Sequence, residues 1–184
     1  MALMTFKPFA AAAVLALSAA AGDAAAAVVD SAASGFTVKI PLHIAAPPAD
    51  VYRKFLRNVG DWWNSAHTFS GSAKNLSFDE KPMGCFCEKL PDGGFVRHLE
   101  IIYLAPGKTV ILSGALGPMQ PLAAAGTMRL QFSADGDGTR LEVTYTVAGY
   151  LPGGMNAFAA PSDGMLTEQF TRLKNYIEHG DPGK

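Results

Sequence analysis

The only two cysteines of this chain lie one residue apart in "GCFCEKLPDGGFVRHLE" (residues 84–100), and His98 and Glu100 follow just beyond a tight turn. Thiolates, an imidazole and a carboxylate are zinc ligands. Imidazole and carboxylate are also the common general acid/base groups. "PDGG" is turn chemistry. A regular hairpin about it sets Cys87 opposite His98 and Cys85 opposite Glu100, all four on one side of the sheet. The other side then carries Phe86 against Leu99 and Leu90 against Phe95, with Glu88 beside Arg97. Neither face is cleanly apolar, so the pattern alone leaves open which one faces the interior.

Three readings of the cysteines follow. Strand geometry weighs against a disulfide, because residues i and i+2 stand about 6.6–6.8 Å apart while the bond wants Cβ atoms about 3.5–4.5 Å apart. A bulge, which Gly84 permits, is what could close that gap. A metal held by Cys85, Cys87 and His98 has suitable ligand types, but C-x-C is not the usual C-x₂-C zinc spacing, and no resident metal is expected. The reading that asks least is two small, soft thiols in a packed or cavity-lining strand, with His98 hydrogen-bonded rather than ligating.

Other groups could join such a site. His67 and Phe69 share the polar loop "HTFSG"; the histidine is either an acid/base group at an entrance or a solvated loop residue. Trp62 and Trp63 diverge by about 100° on a helix, so one belongs to the core and the other can line a pocket mouth. Tyr103 and Tyr145 could each set a phenol against a ligand. The catalytic candidates are therefore His98, Glu100, His67 and Tyr145. No G-x-S-x-G elbow, H-E-x-x-H, phosphate-cradling loop or dinucleotide fingerprint occurs, and no cofactor is expected.

The elements that must position these groups read as follows. "GFTVKIPLHI" (35–44) alternates as a strand. Helical spacing of Val51, Tyr52, Phe55, Leu56 and Val59 follows Pro47 and Pro48, with Gly60 as a stop and Asp61 as the cap of a second short helix. From residue 76 the period becomes two, and strands are predicted over 76–80, 84–90, 95–103, 109–115, 126–133 and 139–148. The hairpin about "ADGDG" puts Met128, Leu130, Phe132, Leu141, Val143, Tyr145 and Val147 on one buried face. "GALGPMQPLAAAG" (114–126), which contains Met119, is long and apolar, as lids and pocket rims are. Leu166, Phe170, Leu173 and Ile177 stripe a final helix, capped at Ser162 or Asp163 and ended at Gly180.

The start of the chain has a different character. One lysine, Lys7, precedes an apolar run from Phe9 to Ala21, and small residues follow around Ala24–Ala27. That is the pattern of a secretory signal peptide over 1–27, with 28–35 as a linker. Roughly 155 residues remain, the size of one domain. The formal net charge is −1 with no basic run, which excludes an electrostatic footprint for nucleic acid.

The order strand, two helices, six strands, long helix describes an α+β domain in which a curved antiparallel sheet of about seven strands wraps a C-terminal helix. This order, with "PADVYRKFLRNVGDWW" after the first strand, "GGF…HLEIIYLAPGKTVILSG" in mid-sheet and "LTEQFTRLKNYIE" at the end, resembles the START-like superfamily, also called SRPBCC or helix-grip. Within it the chain is similar to bacterial polyketide cyclase/dehydrase-like and Hsp90-ATPase-activator-like members, over residues 36–180. The resemblance implies an apolar cavity between sheet and last helix for a lipid, sterol or polyketide-like molecule. Trp62, Trp63, Phe69, Cys85, Cys87, His98, Tyr103, Met119, Met128, Tyr145, Leu166 and Phe170 are the residues expected to line it. The leading expectation is an exported, periplasmic or secreted binding protein for a hydrophobic small molecule. After leader removal it could touch a membrane without spanning it, and the sequence sets no oligomeric state. The rival is a cyclase or dehydratase working by acid/base catalysis. A chaperone-ATPase co-factor is a third reading, against which the leader argues.

Overall fold

The computed structural model describes residues 27–183. The leader call over residues 1–27 therefore lies, but for its last residue, outside the described residues. Eight antiparallel strands form one curved sheet in the order β1-β2-β8-β7-β6-β5-β4-β3. They are β1 (Ala27–Ala32), β2 (Gly35–Ile44), β3 (Leu76–Phe78), β4 (Cys85–Lys89), β5 (Phe95–Ala105), β6 (Thr109–Ser113), β7 (Ala123–Asp135) and β8 (Gly138–Tyr150). Three helices accompany them: α1 (Pro48–Arg57), α2 (Val59–Trp62) and α3 (Ala159–His179). The sheet grips α3, and the fold is the helix-grip α+β architecture. No helix of the described residues is long and apolar enough to cross a membrane.

The eighth strand is the addition to the expected set. Residues 28–35, read as a linker, hold most of β1, which pairs with β2 from Ala27 opposite Lys39 to Ala32 opposite Gly35. Its small, weakly alternating sequence carries little strand signal of its own, and the bonding edge of β2 supplies the order. Gly60 does not stop a helix; it lies inside α2. α3 starts three residues before the expected cap, with Phe158 at its N-cap position and no side-chain cap bond. Pro161 in its first turn suits that earlier start, since a missing N–H is harmless there.

The core is continuous. β7 and β8 pair Met128 with Tyr145, Leu130 with Val143 and Phe132 with Leu141 on the buried face. Against it α3 sets Leu166, Phe170 and Leu173, each fully buried and contributing about 1.5–3 kcal/mol. Phe55, Trp62 and Phe170 stack with centroids 5.8–6.4 Å apart. This cluster occupies the deep space between sheet and helix. Only about 10 Å³ stays open among Phe55, Phe86, Met128, Leu166 and Phe170. The expected deep hollow is filled by the chain's own aromatic side chains.

Candidate functional site

The open space lies at one end of the grip. A cavity of about 370 Å³ is bounded by the loop after α2 (Trp63, Ala66, His67, Thr68, Phe69), by His98 on β5, by the 116–119 turn, and by Phe158, Pro161, Ser162 and Met165 at the start of α3. Apolar side chains form most of this wall. The polar exceptions are two histidines, Thr68 and Ser162.

His98 reaches the wall through a β-bulge. Phe86 pairs with Leu99 and Cys87 with Arg97, so His98 is an extra residue on β5. A bulge puts two successive side chains on the same side. His98 and Leu99 are accordingly both buried, and Glu100 returns to the outer face, where Arg97 Nη1 donates to it at 2.7 Å. The regular ladder expected from the sequence, with Cys87 opposite His98, is thereby corrected. The Cys85–Glu100 pairing stands.

The bulge sets His98 beside Glu88, the one carboxylate on the inner face of β4 and fully buried. His98 Nε2 and Glu88 Oε2 are 2.9 Å apart. The backbone N–H of Phe69 donates to the same oxygen at 3.1 Å, and that of Ser70 donates to Oε1. Burial acts to raise the Glu88 carboxyl, but the hydrogen bonds from Ser70, Phe69 and His98 together outweigh it and hold the group below the usual carboxylate range. Burial pushes the His98 imidazole below its ordinary value, against the pull of Glu88. The ring lies between Phe69, at 6.0 Å, and Phe86, at 5.0 Å.

A second histidine borders the same cavity. His67 Nε2 lies 3.1 Å from Glu168 Oε2, and Asn64 Nδ2 donates to Oε1 of that carboxylate. The Asn64 bond leads in holding Glu168 below its ordinary value.

Other candidates fall elsewhere. Cys85 and Cys87 form a disulfide. Their Cα atoms are 5.3 Å apart, closer than the roughly 6.7 Å of an extended strand. The contraction follows a turn in which Met83 takes φ 58° and Gly84 packs so tightly that a Cβ would meet Asp79 O at 1.8 Å. The expectation of two free thiols lining the cavity is overturned: the pair is bonded and lies on the opposite face from Phe86 and Glu88. The set Cys85, Cys87 and His98 as metal ligands fails for the same reason. Among the described residues no group of three or more His, Cys, Asp or Glu is placed to hold a metal.

Tyr103 is exposed on β5. Trp62, Met128, Leu166 and Phe170 are packed core residues, leaving Trp63, Phe69, His98 and Met119 of the expected lining set at the open cavity, with the catalytic candidate His67 beside them. Tyr145 is tied down beneath the rim. Its hydroxyl accepts from Leu116 N–H at 2.8 Å and donates to Gly114 O at 3.3 Å. Burial raises its phenol to about 12, with the Leu116 bond opposing. Gly126 makes room for this, because a Cβ there would stand 2.4 Å from Gly114 O and 3.1 Å from the Tyr145 ring.

Glu88 is the functional residue that sequence reasoning missed. Its signal was an acid sharing a strand face with Phe86, since a carboxylate on an apolar face needs partners. Phe158, Pro161, Ser162 and Met165 were hidden by the late placement of the α3 start.

No family model matches this chain, and no curated protein matches it. Solved structures do. Mll3558 from Rhizobium loti superposes with a TM-score of 0.53 at 26% identity, covering 76% of this chain and 96% of that one. An uncharacterised protein from Rhizobium leguminosarum gives 0.56 at 22% identity, covering 78% and 95%. The Aha1 dimer from Colwellia psychrerythraea gives 0.53 at 16% identity, covering 78% and 97%. DynU16, a protein of the dynemicin biosynthetic locus, gives 0.54 at 16% identity, covering 79% of this chain and 48% of its own. These likenesses agree with the helix-grip architecture and assign no activity.

Proposed function

We propose that this chain binds a hydrophobic small molecule in the cavity at the mouth of the helix grip. The observation that carries the reading is an apolar wall, built by Trp63, Phe69, Leu116, Met119, Phe158 and Met165, around about 370 Å³. That volume lies within the roughly 300–1,000 Å³ of small-molecule sites. Apolar ligand surface leaving water contributes about 25 cal/mol per Å². The ligand proposed is a lipid, sterol or polyketide-like molecule. The proposed location is the periplasm or the extracellular medium. The leader pattern and the Cys85–Cys87 disulfide support it, because such bonds persist in oxidising compartments.

The test is fluorescence titration with the neutral probe N-phenyl-1-naphthylamine. Wild type should take up the probe saturably, and Ser162→Phe, which pushes a ring into the cavity from α3, should abolish uptake without unfolding the protein. Uptake that ignores Ser162→Phe, or no uptake at all, sinks the reading.

One observation favours a second reading, a cyclase- or dehydratase-type enzyme acting on a polyketide-like substrate. Of the four acid/base candidates His98 and His67 border the cavity, and His98 has a buried carboxylate behind it. Turnover of a poly-β-keto probe that is lost in His98→Phe, while dye binding persists, would move the assignment from binding to catalysis.

A further inference from the structure

The Glu88–His98 pair has a polarity that the hydrogen bonds fix. Glu88 receives two backbone N–H donors, one on each oxygen, in a fully buried position. A carboxyl group so supplied with donors is an ionised acceptor. The 2.9 Å contact to His98 Nε2 therefore needs its proton on Nε2. A ring that is only 7% exposed, stacked on Phe69 and tilted against Phe86, resists a net positive charge. The remaining nitrogen, Nδ1, is then a bare acceptor. It has no hydrogen-bond partner among the described residues, and it is not among the fully buried unpaired atoms, so it keeps accessible surface. His98 is one of the residues that line the cavity.

We propose that Glu88 is a positioning residue that holds His98 as the Nε2–H tautomer, and that Nδ1 selects cavity ligands carrying a hydroxyl donor, a phenol or alcohol, on an apolar body. This rests on the binding reading above and narrows its ligand class. The cavity offers abundant apolar contact, which discriminates poorly between similar hydrocarbons. A fixed acceptor in that wall discriminates better, since a ligand hydroxyl buried without a partner is penalised. Phe69 reinforces the arrangement, because its N–H anchors Glu88 while its ring covers His98.

The experiment compares 2-naphthol with naphthalene as competitors of N-phenyl-1-naphthylamine, in wild type and in His98→Phe. Wild type should prefer 2-naphthol about three- to tenfold, the worth of one net hydrogen bond. His98→Phe keeps an aromatic ring in the wall and should lose or reverse that preference, so that the ratio changes by about threefold or more between the two proteins. A ratio that His98→Phe leaves unchanged overturns the selection while the binding reading survives. If neither compound competes, the binding reading fails and takes this inference with it. Long-range ¹H–¹⁵N spectra of the full chain read the tautomer directly. A protonated Nε2 with a bare Nδ1 is expected at neutral pH, and Glu88→Gln should redistribute the tautomers. The Nδ1–H tautomer or an imidazolium in wild type would overturn the proposal.

Discussion

Tyr145→Phe isolates the bond that ties the cavity rim to the sheet. The phenol of Tyr145 is the acceptor for the buried Leu116 N–H at 2.8 Å. Phenylalanine fits the same space and leaves that donor without a partner, which costs about 1–3 kcal/mol. For a domain of this size each kcal/mol lowers Tm by about 2–4 °C, so a fall of about 2–12 °C is expected. Linkage gives the difference a pH signature. The folded phenol stands at about 12, above its ordinary 10. Its neutral form is favoured on folding, so the contribution is complete below pH 10 and is lost as pH rises through 12. That interval corresponds to roughly 2.7 kcal/mol. Urea unfolding of both proteins at pH 8, 9, 10 and 11 should therefore show the wild-type advantage shrinking across the last steps, other titrations cancelling in the difference. Amide exchange at Leu116 should accelerate in the variant, with exchange in β7 and β8 little changed. A stability gap that stays constant or widens with pH, or unaltered Leu116 exchange, would refute the reasoning.

Four further outcomes are expected. Glu88→Leu deprives Phe69 N–H, Ser70 N–H and His98 of their acceptor and should lose at least about 3 kcal/mol in urea unfolding; a loss below about 1 kcal/mol would contradict the tether. Because burial lowers the folded His98 pKa from its ordinary 6.5, its contribution is present above that pH and lost as pH falls through the folded value. With Glu88 as its charged neighbour and His67 on the same cavity, wild type should lose stability on acidification below pH 6.5 more steeply than His98→Phe, and parallel curves would count against the assignment. Unreduced, denatured protein should show no free thiol. Cys85→Ser with Cys87→Ser should cost only about 1–2 kcal/mol, because the bond closes a very short loop, and a far larger loss would show that it holds more than its own turn. Gly126→Ala should destabilise by about 1–3 kcal/mol in thermal unfolding, since its Cβ would press on Gly114 O and the Tyr145 ring, and a neutral result would mean the rim yields freely.

Periodicity made the sheet from β2 to β8 and the α3 stripe legible in the sequence. The observed strands fall within a few residues of those predicted, and Met128, Leu130, Phe132, Leu141, Val143, Tyr145 and Val147 share the buried face as expected. The site was legible only in pieces. A period of two assumes an unbroken ladder, and one inserted residue at His98 reverses the side of everything before it. That insertion moved His98 away from the cysteines and onto Glu88. Nothing in "GFVRHLE" marks a bulge, which is a property of two paired strands rather than of one. The disulfide was disfavoured by the same assumption of regular geometry. Volume is likewise invisible to pattern: Trp62 and Phe170 read as lining residues until their rings are seen to stack on each other and on Phe55.

The position of the cavity follows from where the sheet places its few buried polar groups. Glu88 on β4 holds the backbone of Phe69 and Ser70, and Tyr145 on β8 holds that of Gly114 and Leu116. Gln169, buried on α3, accepts from Asn64 N–H at 2.8 Å, and Trp63 Nε1 donates to His67 O at 3.0 Å. The bonds of Glu88, Tyr145 and Gln169 run from a regular element to a connection that walls the open end of the grip, and the Trp63 bond closes the loop after α2 on itself. Loops rich in glycine, proline and small residues cannot pack themselves into a fixed wall, so these tethers must supply the shape. They also satisfy backbone groups that the fold would otherwise bury unpaired. Glu88 differs from the other three in having a partner, His98, whose second nitrogen remains unclaimed by the protein. The residue that stiffens the wall is thereby also the one that gives the wall a chemical preference.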